Sequence, residues 1–171
     1  QKLRKSLKTH VFGMVSKRLQ DFPMFTAEEI LACRRSLGVS DAEICTMSGG
    51  ASYKFFDSAD TSEYFKVIRQ LLDRNQNVKH IIISNFSEKE KTIIENFFEG
   101  SKSRNRLIIH SLTPEYELLF SSADVFIDSF PVSAALTMID LMRLKVPAVV
   151  KINKENALLS FHEYQRSNFP Y

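Results

Sequence analysis

The sequence predicts an α/β fold: a doubly wound, mostly parallel, Rossmann-like sheet with an N-terminal helical arm. Three observations predict it. From Ala42 onward, short apolar runs alternate with amphipathic segments. Runs such as Ile81-Ile82-Ile83 and Leu107-Ile108-Ile109 carry no polar alternation, as expected of strands covered on both faces. Small or polar residues follow each run, at Ser48-Gly49-Gly50, Ser84-Asn85, His110-Ser111 and Asp128-Ser129. Right-handed crossovers would gather these four places at the carboxyl ends of the strands, where such sheets bind ligands.

The elements follow in order. Leu3, Leu7, Val11, Met14, Val15 and Leu19 recur at helical spacing and give a basic helix an apolar stripe. Asp21-Phe22-Pro23 reads as a turn. Thr26 with Glu29 is a capping-box pattern that starts a second helix, and Gly38 suits its C-terminus. Strands are expected at Ile44 to Met47, Val78 to Ser84, Leu107 to Ile109, Val125 to Asp128 and Val146 to Ile152. Helices are expected at 58–74, 88–99, 114–121, 133–144 and 157–165, with Gly100 stopping the one before it. Residues 1–40 thus form a helical arm or interdomain segment, and 41–171 a Rossmann-like domain.

Composition narrows the function. A chain of 171 residues makes one ordinary domain with a real core. Its net charge of +3 comes from the start, where Lys2, Arg4, Lys5, Lys8, Lys17 and Arg18 precede the first acid, Asp21. Nucleic-acid binding is therefore confined to that end and is not expected of the whole chain. Cys33 and Cys45 lack metal-ligand spacing, and no His/Cys/Asp cluster suits zinc. There is no apolar run of membrane-span length, no secretory signal and no G-x-S-x-G elbow. A cytoplasmic location is expected. The chain opens on Gln inside a helical pattern, so a piece of a longer protein is expected.

The residues that could carry chemistry lie at the strand ends. In the loop Ser48-Gly49-Gly50-Ala51-Ser52-Tyr53-Lys54, adjacent glycines allow amides to approach an anion, and Lys54 could reach a diphosphate. The loop matches neither dinucleotide nor P-loop patterns, and a flexible loop with an exposed lysine is the other reading. The 133–144 helix is apolar except for one stripe, Thr137, Asp140 and Arg143. A hydroxyl near a helix start suits a phosphate and a carboxylate one turn on suits a ribose diol. Thr137 bonded back to its own helix, with Asp140 at the sheet rim, remains the alternative. His110 ends a strand where a base or phosphate could approach. His80, His10 and His162 show no partner in the sequence.

Laid end to end, these pieces resemble the C-terminal, nucleotide-binding half of a GT-B glycosyltransferase over roughly Leu37 to Val150. The specific stretch is Ala123-Asp124, Phe126-Ile127-Asp128-Ser129-Phe130-Pro131, Thr137-Met138-Ile139-Asp140 and Lys145-Val146-Pro147-Ala148-Val149-Val150. It is most similar to the branch of O-GlcNAc transferase and the bacterial protein N-glucosyltransferases. The resemblance implies that Asp140 binds the ribose, and that Thr137 with the helix start at Ser133 contacts the diphosphate. It also implies that Lys54 supports that diphosphate. Departures fall at Leu136, at Ser133-Ala134-Ala135 and at Lys145, where the branch has threonine or glycine. Asp140 takes the second of two acidic places found in retaining relatives and no acid takes the first, which points to inversion.

What the resemblance implies is a bacterial-type, metal-independent transferase. It would move a sugar from a UDP-sugar, its co-substrate, to a protein or glycan acceptor. No further cofactor is implied and no catalytic residue is assigned, since the acceptor site would belong to a missing N-terminal domain of the same chain. The nucleotide-binding set is Gly49, Gly50, Lys54, His110, Ser133, Thr137 and Asp140. Two competitors stand beside this reading: a UDP-sugar epimerase, and a degenerate transferase-like subunit that docks or stabilises a partner.

Overall fold

A computed structural model describes residues 24–58 and 61–151. The basic N-terminal helix, the turn at 21–23, His10, the 157–165 helix and His162 lie outside the described residues. Strands β1 (Ile44–Gly49), β2 (Val78–Ile83), β3 (Leu107–His110), β4 (Val125–Ile127) and β5 (Ala148–Val149) form one sheet. Every pairing is parallel, and the order is β3-β2-β1-β4-β5. The helices are α1 (Ala27–Ser36), α2 (Glu63–Arg74), α3 (Glu88–Phe97), α4 (Tyr116–Ser121) and α5 (Ala135–Leu144). Short 3-10 turns at Ser52–Phe55 and Arg104–Arg106 complete the described elements.

The unbroken apolar strands divide their side chains between two cores. Ile81 and Ile83 join Met47, Phe126, Met138 and Leu141 on the face covered by α1, α4 and α5. Ile82, between them, joins Phe55, Tyr64, Phe65, Ile68 and Phe98 on the α2 and α3 face. Period-two alternation thus feeds both layers at once. Of the stretch expected as an arm, the part from Ala27 packs on this core through Cys33, Leu37 and Val39.

At the amino rim, Arg34 ties α1 to the sheet. Its Nη1 donates to Ser122 O and to Asp124 Oδ2, both at 3.0 Å, and Nη2 donates to Glu43 O at 2.7 Å. Asp124 Oδ2 also accepts from Cys45 N at 2.7 Å. One guanidinium therefore satisfies carbonyls in front of β1 and β4 that would otherwise be lost at the sheet's edge.

Several element boundaries differ from expectation for local reasons. The helix expected from 58 begins at Glu63 because the Ser62 hydroxyl accepts from Phe65 N at 3.0 Å and donates to Phe55 O at 2.5 Å. The helix expected from Ser133 begins at Ala135 because the Asp128 carboxylate holds the preceding turn out of helical backbone through Ala134 N, with Ala134 at φ -87 and ψ 56. The helix expected from 114 begins at Tyr116, after an uncapped Glu115. The fifth strand pairs only over Ala148–Val149. The capping box at Thr26 and Glu29 is present as read.

Lys145 closes α5 in left-handed backbone, at φ 58. An L-residue is strained there and glycine is not. Lys145→Gly is expected to raise stability by about 1 kcal/mol, seen as a higher urea midpoint with an unchanged m-value.

Candidate functional site

The chain runs β1, β2, β3 outward and then returns to lay β4 on the other side of β1. Loops after β1 and β4 therefore diverge, which opens a crevice at the switch point of the sheet. A cavity of about 470 Å³ occupies it, lined by Gly50, Ala51, Ser52, Asn85, Leu112, Tyr116, Phe120, Leu136, Thr137 and Asp140. Three of the residues expected to bind nucleotide, Gly50, Thr137 and Asp140, thus meet in one cleft.

Thr137 is the third residue of α5, so its hydroxyl lies in the first turn, where the helix dipole favours an anion. Asp140 follows one turn later and is buried, and the Tyr116 hydroxyl donates to its Oδ2 at 3.4 Å. Gly50 sits at φ 157, and a Cβ there would lie 3.3 Å from Lys54 Cδ. The Lys54 stem therefore passes over Gly50, which puts Lys54 and Asp140 on the same rim.

Lys54 and Ser133 meet at the border of this cleft. Lys54 Nζ donates to Ser133 O at 3.2 Å. The Ser133 hydroxyl donates to Asp128 Oδ2, while Asp128 Oδ1 accepts from Ser129 N and Ala134 N, each at 2.8 Å. Asp128 is the organiser of the turn before α5, a role that nothing near it in sequence announces. Burial raises its pKa, which the hydrogen bonds and the Lys54 charge oppose. Ser133 also lines a smaller cavity of about 120 Å³ with Asp57, Glu63 and Phe130.

Gly49 is buried beneath the cleft floor: a Cβ there would lie 2.7 Å from the Phe120 ring. Its lack of a side chain lets Phe120 close that floor. His110 does not line the cleft; its Nδ1 donates to Ser111 O at 2.7 Å at the end of β3. Asn85, at a strand end, and Ser52, in the glycine loop, line the cleft without having been assigned to binding from the sequence, and Tyr116 and Phe120 were not singled out at all; their place in the cleft depends on how the loops converge.

His80, without a visible partner in the sequence, is bonded in the structure to Thr46 and Tyr64. Thr46 Oγ1 donates to Lys79 O, so it accepts from His80 Nδ1 at 2.9 Å. That leaves Nε2 to accept from the Tyr64 hydroxyl at 2.7 Å. Both side chains are fully buried, and burial holds the imidazole neutral, its pKa falling from 6.5 to about 3. The unfolded chain therefore binds the extra proton between those two values. Stability from this group is present above pH 6.5 and is lost as pH falls towards 3. We expect His80 to contribute about 1.4 kcal/mol per pH unit to the slope of stability against pH in urea melts, a contribution that disappears in His80→Gln. A slope unchanged by that substitution contradicts the buried neutral imidazole.

Other chemistries find no footing among the described residues. Burial pushes the Cys45 thiol up to about 12 and raises Cys33, which disfavours thiolate nucleophiles. Among the described residues no group of three His, Cys, Asp or Glu could hold a metal ion. No described helix is long and apolar enough to cross a membrane.

No family model matches the sequence, and no curated protein matches it. Solved structures do. A variant of the Thermobaculum terrenum O-GlcNAc transferase superposes with a TM-score of 0.57 at 16% identity, over 74% of this chain and 24% of that one. WaaG, a glycosyltransferase involved in lipopolysaccharide biosynthesis, gives 0.54 at 11% identity, over 72% and 32%. Anabaena HepE, solved in complex with UDP and glucose, gives 0.57 at 14% identity, over 72% and 33%. The chain spans between a quarter and a third of the length of these proteins. Its described residues have the fold of the C-terminal half of a GT-B glycosyltransferase.

Proposed function

We propose that this chain is the donor-binding domain of a glycosyltransferase that moves a sugar from a UDP-sugar to a protein or glycan acceptor. One observation carries the reading: Gly50, from the loop after β1, and Thr137 and Asp140, from the helix after β4, line a single cleft at the switch point. In this account Asp140 accepts hydrogen bonds from the ribose hydroxyls and so fixes where the anomeric carbon lies. Thr137, at the start of α5, meets the diphosphate. As the glycosidic bond breaks, negative charge grows on that leaving group. The helix start stabilises it, and Lys54, whose Nζ lies 3.2 Å from Ser133 O at the border of the cleft, is the cation assigned to it. The acceptor and any general base belong to a further domain.

The experiment is a thermal-shift titration with UDP, UDP-glucose, UDP-GlcNAc and GDP. Ligand at a hundred times its Kd is expected to add about 2.7 kcal/mol of stability. No shift with any of the four contradicts the reading. A second reading, a transferase-like subunit that has lost turnover, draws on Leu136, which is 58% exposed at the cleft where the similar branch has threonine. Nucleotide binding without transfer in the full-length protein would select it.

A further inference from the structure

The cleft extends past the nucleotide-binding residues already considered, to the loops after β2 and β3. Asn85 and Leu112 line that end. The Leu112 backbone N–H donates to Asn85 Oδ1 at 3.1 Å. A backbone N–H can only donate, so the side-chain atom facing it must be the amide oxygen. That bond fixes the orientation of the amide and leaves its NH2, a pure donor, as the polar group Asn85 offers to the cleft. Around it the wall is apolar, formed by Leu112, Tyr116 and Phe120. Asp140 lies across the sheet, on the helix after β4. From β4 to β2 is two strand spacings, about 10 Å, the scale of a nucleoside from its ribose to the far edge of its base.

Resting on the donor-site reading above, we infer that Asn85 is a specificity-determining residue that reads the distal edge of the base. A base presenting a carbonyl oxygen there receives its NH2. A base presenting an amino group meets donor against donor and leaves both unsatisfied. Discrimination of this kind comes from the unpaired polar groups rather than from shape. The cleft therefore favours uracil over cytosine, two rings of equal size that differ at that edge.

The test is a calorimetric comparison of UDP and CDP on the wild type and on Asn85→Asp. The carboxylate still accepts from Leu112 N–H, so the loop stays in place, but it has no donor to give. The wild type is expected to bind UDP about tenfold more tightly than CDP, one good hydrogen bond's worth. In Asn85→Asp both affinities fall with the added charge, and the UDP preference is lost or reversed. Thermal melting without nucleotide checks folding, and Asn85→Ala, which removes donor and latch together, should lose the preference too. Equal binding of UDP and CDP by the wild type overturns the inference. So does a preference that survives both substitutions; in either case the donor-site reading stands. No binding of either nucleotide by the wild type overturns both.

Discussion

Replacing Asp140 with alanine is expected to cost about 2–3 kcal/mol of UDP binding, roughly 30- to 150-fold in Kd. The carboxylate is buried on α5 beside the Tyr116 hydroxyl, in the cleft with Gly50 and Thr137. Hydrogen bonds to a charged group are the strong ones, and a ribose diol offers two donors to one carboxylate. Asp140→Asn keeps the shape and one acceptor, so its loss should be smaller than that of alanine. The comparison needs uridine as well as UDP. If Asp140 holds the ribose, both ligands weaken by the same factor, because the diphosphate is not involved. A loss confined to UDP would move Asp140 away from the sugar. Titration calorimetry reads both.

Arg34→Met should be the most destabilising of the substitutions considered, by about 3 kcal/mol. Arg34 is 8% exposed, and its guanidinium makes three hydrogen bonds, to Ser122 O, Glu43 O and Asp124. Its removal leaves two carbonyls short of a donor at the amino rim. Asp124 remains half in solvent, which keeps the cost below that of a fully buried pair. Methionine fills the stem's volume, so the loss reports the polar head. Urea denaturation should show a lower midpoint with the same m-value. The amino rim is the end of the sheet opposite the cleft, so the folded variant should keep its UDP affinity. An affinity that falls with stability would show that α1 shapes the cleft as well.

Much of the architecture was legible because its causes are local. Thr26 and Glu29 cap a helix through atoms three residues apart, and a run such as Ile81 to Ile83 declares burial on both faces by its composition. The wound parallel sheet followed, since alternating strands and helices leave few topologies open; the order β3-β2-β1-β4-β5, and with it the switch point, came from the structure. The start of α2 was read too early, at 58 instead of Glu63, because Ser62 works by reaching Phe55 O, which pattern alone does not show.

The site was legible only in part, and the division has a physical basis. Gly50, Thr137 and Asp140, which line one cleft, stand out in the sequence because small residues at a strand end and polar residues in an apolar helix are anomalies within their own element. Asn85 is not anomalous in a loop; its meaning comes from Leu112, across two strand ends. Asp128 reads as one more strand-end acid until its carboxylate is seen holding the turn before α5. His80 gave no signal either, since its partners Thr46 and Tyr64 come from another strand and a helix. The same turn shows why Ser133 and Lys54 stand at the border of the cleft: Lys54 Nζ is bonded to Ser133 O, and the Ser133 hydroxyl to Asp128 in its own turn.

The whole account depends on one crevice seating a nucleoside diphosphate across the ends of β1 and β4, and a crystal structure of the chain with UDP measures that directly. The account predicts ribose hydroxyls within hydrogen-bond distance of the Asp140 carboxylate, with the diphosphate at the first turn of α5. UDP bound elsewhere on the molecule, with this crevice holding only solvent, would contradict it.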